Sequence, residues 1–256
     1  MNPTEKHEGS QHILYDADQM NDVELRLFDA EALARDGLIR GSAQGRGTTH
    51  FVEIASQECV LRHYRRGGMV ARLLGDRYWR STLPNTRAWR EWHLLADLTT
   101  QGLPVPQPIA ARVVTQGAFY RADLIMRRLT NTHSLSQAVQ AACLPETQWR
   151  AIGQSIRRFH DAGVFHADLN AHNILLNKIL PENMPMQEET VPQALVAVWL
   201  IDFDKGEIRP VARNWQMANL MRLKRSLDKL SGLHAPFHFQ DADWQQLMAG
   251  WEREKI

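Results

Sequence analysis

Two side chains able to do chemistry stand five residues apart between Val164 and Asn177: the carboxylate of Asp168 and the amide of Asn173. His166 precedes them, and short apolar runs flank this polar centre on both sides. A functional loop held between a helix and a strand is written this way. Thirty-four residues after Asp168, the buried-type run Val196 to Ile201 ends abruptly on Asp202, within Asp202-Phe203-Asp204. A loop carboxylate suits proton abstraction from a hydroxyl. A second carboxylate and an amide oxygen are hard donors suited to a divalent cation. The plain structural alternative is a capped turn feeding a strand.

The elements that must position these groups fall into two blocks. Residues 1–20 read as a loose polar lead-in, followed by a short helix from Asp29 to Asp36 that Gly37 closes. Strands are expected at Leu38 to Ser42, Thr48 to Ala55 and Glu58 to Tyr64, with a glycine-rich turn from Gly41 to Gly47 and a tight turn at Ser56-Gln57. Thr86 to Leu98 predicts a helix with Ala88, Trp92, Leu95 and Leu98 on one stripe, and Glu91 falls on that same face. Two further strands, Ile109 to Val114 and Phe119 to Arg127, complete a block of five strands and one helix. Near Arg128 to Ser134 the pattern turns helical: Ser134 to Cys143, then Glu146 to Ala162 with Trp149, Ile152, Ile156 and Phe159 in phase, ended by Gly163. The loop of Asp168 and the strand Ile174 to Leu176 come next, then an insertion from Lys178 to Ala194. Two amphipathic helices follow, Val211 to Leu230 and Asp241 to Glu254. The expected domains are residues 1–128, an antiparallel sheet with one helix, and residues 129–256, mainly helical.

Composition narrows the classes. A chain of 256 residues with 44% hydrophobic content can bury a large core. Thirty Lys and Arg against 29 Asp and Glu leave a net charge of +1, so no global field argues for nucleic acid. The two cysteines, Cys59 and Cys143, form no metal or disulfide pattern, which points to a reducing compartment. The longest apolar run, Leu195 to Ile201, is seven residues, so neither a signal peptide nor a spanning helix is expected. Charge is clustered locally instead: between residues 60 and 90 eight arginines face one acid, Asp76, and make an anion site plausible.

His166-x-Asp168-x-x-x-x-Asn173 has the spacing of a kinase catalytic loop, in which the Asp accepts a substrate proton and the Asn holds Mg²⁺. Asp202-Phe203-Asp204 resembles the D-F-G triplet whose first Asp bridges Mg²⁺ to the phosphates. Gly45-x-Gly47-x-x-His50-x-Val52 parallels the kinase glycine loop, with His50 at the third glycine. A hairpin turn is the bland reading of that loop taken alone. All these parts stand in kinase order along the chain. With Leu61 to Gly68 and the run from His166 to Leu176, they resemble the bacterial 3-deoxy-D-manno-octulosonic acid (Kdo) kinase family, itself similar to the lipopolysaccharide core heptose kinases. The match runs from about Gly41 to Leu230.

The resemblance implies an α+β, bilobal, protein-kinase-like fold and transfer of phosphate from ATP to the 4-hydroxyl of Kdo on a lipid A precursor. Asp168 is then the base, Asn173 and Asp202 the Mg²⁺ ligands, and Gly45, Gly47 and Thr48 the loop over the phosphates. Strand alternation puts Val60 and Arg62 on one face, so Arg62 replaces the usual Lys as partner of the phosphates and of Glu91, with Arg65 as the alternative. A simple ion pair between elements is the structural alternative for Arg62 and Glu91. His166 is expected to organise the loop through hydrogen bonds.

About ten residues separate Asp202 from the next helix, too few for a protein-kinase activation segment, which favours a glycan or small hydroxyl acceptor. The acceptor that the resemblance implies carries a carboxylate and lipid phosphates, and arginines such as Arg65 and Arg66 offer forked donors for them, with a solvated basic face as the plain alternative. Trp79, Trp89 and Trp92 stand beside these arginines, where they could touch a bilayer interface, although for each one singly core packing is the favoured reading. The expected partners are therefore the Kdo-bearing lipid and a membrane surface, at the cytoplasmic face of the bacterial inner membrane, with no nucleic acid and no protein partner. The competing readings are a heptose or other small-molecule kinase of the same fold, and a non-catalytic kinase-like binding module.

Overall fold

Alternating apolar residues and tight turns lay out the first of two units, Met1–Gly102 with Pro106–Leu129. The computed structural model describes residues 1–44, 48–65, 75–178 and 196–252. A hairpin opens the unit, β1 (Pro3–Glu8) against β2 (Gln11–Asp16), turning at Gly9 with φ +60°. The expected loose lead-in is thus replaced by two strands. β1 is an edge strand with no buried residue, and only Ile13, Leu14, Tyr15 and Asp16 of β2 are buried, too short a signal to read locally.

Asp29 accepts hydrogen bonds from the N–H groups of Glu31 and Ala32 and so caps α1 (Ala30–Arg35), which Gly37 follows at φ +67°. β3 (Ile39–Gln44), β4 (Thr48–Ile54) and β5 (Gln57–His63) form the antiparallel meander foreseen. The turn between β4 and β5 sits one residue earlier than expected, at Ala55-Ser56, both with positive φ as a two-residue hairpin turn requires. A two-residue strand, β6 (Tyr78–Trp79), was not anticipated. α2 (Arg87–Thr100), β7 (Pro108–Gln116) and β8 (Phe119–Arg127) follow. The sheet has eight strands in the order β1-β2-β7-β8-β5-β4-β3, with β6 on β8, rather than five.

One face of this sheet packs Ile13, Tyr15, Val52, Cys59, Leu61 and Ile125 against Val23, Phe28 and Leu33. Neighbouring strand residues point to opposite faces, so Arg62 lies on the other side from Leu61. That side receives α2, whose Ala88, Trp89, Trp92, Leu95 and Leu98 are all buried.

The second unit, Leu103–Val105 with Thr130–Ile256, begins with β9 (Thr132–Ser134), a strand where only helix was expected. Ser134 then caps α3 (Leu135–Ala141) in a capping box with Gln137. α4 (Glu146–Asp161) is followed by β10 (Val164–Phe165), β11 (Ile174–Lys178), β12 (Val196–Leu200), β13 (Glu207–Ile208), α5 (Arg213–Ser231) and α6 (Asp241–Glu252). The strands pair as β12-β11-β9 and β10-β13. Trp149, Ile152, Ile156 and Phe159 of α4 are buried as their phasing demanded, with Leu220, Leu223 and Leu227 of α5 and Leu247 and Trp251 of α6. The insertion foreseen after Lys178 lies outside the described residues.

Candidate active site

In the first unit, β5 presents Arg62 to α2, where its guanidinium meets the Glu91 carboxylate at 3.0 Å. Glu91 keeps only 1% of its side-chain surface exposed, so its charge needs the pair. Tyr64, two residues along the same strand face, donates its hydroxyl to the other Glu91 oxygen at 2.5 Å, and the Arg62 guanidinium lies 5.0 Å from the Tyr64 ring centre. Tyr64 was not singled out from the sequence, although its place two residues after Arg62 on an alternating strand was the signal. Arg65 is exposed. Thr48 opens β4, and the next residue, Thr49, stands directly across from Arg62. Gly45, Gly47 and Arg66 lie outside the described residues.

The described members of the arginine cluster differ in exposure and in partners. Arg62 is committed to Glu91, and Arg87 lies 4.7 Å from the Tyr78 ring centre, while Arg65, Arg77, Arg80 and Arg90 are exposed. The tryptophans divide as well. Trp89 and Trp92 are 1% and 0% exposed and belong to the core, so neither can reach a bilayer; Trp79, at 64%, is open to solvent, its ring tilted against Phe119 with centres 4.8 Å apart.

In the second unit, the loop from His166 to Asn173 is tied at every turn. The His166 ring is buried: its Nδ1 accepts from the Asp168 N–H at 3.2 Å, so Nε2–H donates to the Ile201 carbonyl at 3.0 Å. Burial lowers the His166 pKa below the ordinary imidazole value and keeps the ring neutral, as this pattern requires. Asn219 of α5 completes the anchor with paired bonds to the His166 backbone, both at 3.1 Å. Asn170 accepts from the N–H groups of His172 and Asn173 and donates to the Asp168 carbonyl, closing an Asx turn.

The Asp168 carbonyl also accepts from the Asn173 side-chain amide at 2.9 Å. Asn173 is buried, and spending its NH₂ group there leaves Oδ1 as the free acceptor of the side chain. Its backbone carbonyl accepts from the Ile201 N–H at 3.0 Å, and this bond sets Asp202 beside the loop. Asp202 itself adopts φ +65°, a left-handed conformation costly for most side chains but tolerated by Asp. The next residue, Phe203, is buried, its ring 4.8 Å from that of His166 and 6.0 Å from that of Phe159.

The structure thus stitches together the backbones that carry Asp168, Asn173 and Asp202. The Asp168 carboxylate stays 45% exposed and, among the described residues, takes one contact, from the Arg222 guanidinium of α5 at 3.3 Å. No local pattern in the sequence distinguished Arg222 from the other cations of that helix. Asn173 and Asp202 offer an amide oxygen and a carboxylate, a donor set that fits a hard divalent cation. Among the described residues no group of three or more His, Cys, Asp or Glu side chains could hold a metal ion by itself.

Comparison with known proteins bears on the same loops. The chain is 39% identical over 248 residues to a 3-deoxy-D-manno-octulosonic acid kinase of Vibrio vulnificus (strain YJ016), covering 96% of this chain and 97% of that one. It is also 39% identical to one of Haemophilus influenzae (strain PittEE), at 95% and 97% coverage. Among solved structures, WaaP in complex with acyl carrier protein aligns with a TM-score of 0.54 at 17% identity, covering 90% of this chain and 86% of that one. A Rio2 kinase from Chaetomium thermophilum aligns at 0.52 and 16% identity, covering 88% and 74%. These neighbours establish the kinase-like α+β fold. Residues 30–251 match the lipopolysaccharide kinase (Kdo/WaaP) family, and the chain belongs to it.

Proposed function

We propose that this chain is a Kdo kinase, transferring the terminal phosphoryl group of ATP to the 4-hydroxyl of a Kdo residue on a lipid A precursor. Phosphoryl transfer asks the protein for positioning and charge neutralisation more than for covalent chemistry. The Asp168 carboxylate accepts the hydroxyl proton as the sugar oxygen attacks the γ-phosphorus and ADP leaves. Asn173 and Asp202 would hold Mg²⁺, which would supply neutralisation of the phosphate charge. Arg62, kept in place by Glu91 and Tyr64, meets the nucleotide phosphates with a planar fork instead of a lysine's point charge. Gly45, Gly47 and Thr48 cover those phosphates, while Arg65 and Arg66 are held for the acceptor.

The observation that carries this reading is the His166–Asn173 loop, which leaves the Asp168 carboxylate half exposed while its backbone locks Asn173 and the strand end bearing Asp202. The acceptor is drawn from the names of the relatives. Release of ADP should require Mg²⁺ and a Kdo-bearing lipid, and Asp168→Asn should cut turnover by about 10²–10⁴-fold without shifting the melting temperature. Turnover of a heptose acceptor in preference to Kdo would redirect the assignment.

We further propose peripheral association with the cytoplasmic face of the inner membrane, where the lipid-borne acceptor would be met. Exposed Trp79, between the exposed Arg77 and Arg80, is the group suited to the headgroup layer. Among the described residues no helix is long and apolar enough to cross a bilayer. Anionic vesicles should float the protein at low salt, release it as salt rises, and hold Trp79→Ser more weakly. Failure to float at low salt would remove the membrane reading and leave the kinase reading standing.

A further inference from the structure

One face of α5 is applied to the loop of Asp168. Asn219 bonds the His166 backbone, and the Ser226 hydroxyl accepts from the Ala171 N–H at 3.2 Å. Arg222, three residues after the first and four before the second, lies on that same helical face. It is the cation that this face delivers to the loop, and it goes to Asp168.

Holding α5 in place does not require Arg222, since Asn219 and Ser226 already do so through buried or partly buried bonds. The contact with Asp168 is single, 3.3 Å long, and both side chains are nearly half exposed, at 48% and 45%. Such a pair adds little stability. A guanidinium carries five N–H donors, and among the described residues Asp168 is the only side chain or carbonyl that takes one of them. A forked cation with spare donors therefore stands at the point where the acceptor hydroxyl must arrive.

We infer that Arg222 is the binding site for the carboxylate of the acceptor sugar. This rests on the proposed Kdo acceptor and adds a specificity residue to it. In that sugar the carboxylate is borne on C2 and the reacting hydroxyl on C4, with the C3 methylene between them. A group that reads the carboxylate must then sit next to the base that takes the hydroxyl proton, as Arg222 sits next to Asp168. In the free protein Asp168 occupies the guanidinium. On binding, the sugar carboxylate takes it over in a bidentate, charge-assisted pair, and Asp168 is released to face the hydroxyl. No bond forms or breaks in the exchange; one carboxylate replaces another on the same cation. Recognition of the acid and freeing of the base become one event. Neutral sugars of similar shape are poorly used because they leave Asp168 paired with Arg222.

The test is steady-state kinetics of the full chain with ATP and two acceptors, the Kdo-bearing lipid and the methyl ester of its Kdo carboxylate, for wild type, Arg222→Gln and Arg222→Lys. The wild-type preference for acid over ester in kcat/KM should fall by about 10- to 100-fold in Arg222→Gln, carried by the acceptor KM, as expected for loss of a charge-assisted pair. Arg222→Lys should recover part of that preference, because it restores the charge without the fork. An equal loss on acid and ester, with the preference intact, would show that Arg222 only orients Asp168 and would overturn the inference while leaving the Kdo kinase reading in place. Wild-type protein that phosphorylates neither acceptor would bring down that reading and this inference with it.

Discussion

At the scale of single residues, the decisive feature is a carboxylate with almost no water. Glu91 depends on the Arg62 guanidinium and the Tyr64 hydroxyl for its charge to persist at 1% exposure. Arg62→Ala takes the guanidinium away from that charge, and unfolding in urea should show a loss of about 3–5 kcal/mol, the usual cost of breaking a buried pair from one side. Arg62→Lys should lose less stability but still weaken nucleotide binding, because an ammonium cannot fork between a carboxylate and phosphates. The need for this pair was legible: a carboxylate on the apolar stripe of a predicted helix demands a cation. Which arginine supplies it was read from strand alternation as Arg62, with Arg65 left open, and the 3.0 Å contact between Arg62 and Glu91 decides for the first.

Among elements, the long amphipathic ones were readable and the short ones were not. α2, α4, α5 and α6 carry enough apolar positions at helical spacing to declare themselves. β6, β10 and β13 span two residues each and β9 three, lengths at which periodicity carries no information and pairing is set by the partner strand. The crossing of α4 with α6 was equally hidden. A Cβ at Gly153 would stand 2.0 Å from the Leu247 carbonyl oxygen, and one at Gly250 2.1 Å from that of Arg150. Neither obstacle is a movable side-chain end, so the helices themselves must part. Gly153→Ala and Gly250→Ala should each destabilise by about 1–3 kcal/mol or more in chemical denaturation, despite alanine's better helix propensity. A gain in stability from either would refute the tight crossing.

Across the whole molecule, two histidines tie stability to pH with opposite signs. In the first unit His63 is clamped by Asp123 at 2.6 Å and Asp76 at 3.0 Å, and the hydrogen bond to Asp123 raises its pKa above 6.5. Its contribution is complete below the unfolded value and is lost as pH rises through the folded one. In the second unit, burial pushes His160 down to about 4, where its Nδ1 accepts from the Trp251 indole at 2.9 Å. That contribution is present above about 6.5 and lost as pH falls through about 4. Urea midpoints taken from pH 4 to 9 should therefore decline on both sides of near-neutral pH. His63→Gln should flatten the alkaline limb alone, and an unchanged alkaline limb in that variant would assign it to other groups.

The sequence by itself determined the chemistry available and its order along the chain: a loop carboxylate, an amide five residues on, a strand ending in a second carboxylate, and a helix with an acid on its apolar face. Those facts are local, because loop spacing and helix or strand period follow from the backbone geometry of neighbouring residues. Contacts between distant segments were decided only by tertiary structure. Arg222 finds Asp168 across 54 residues, and Trp89 and Trp92 are enclosed while Trp79 is left open. A period says which way a side chain faces along its own element, but the residue it meets there is set by strand register and by how helices pack on the sheet and on one another.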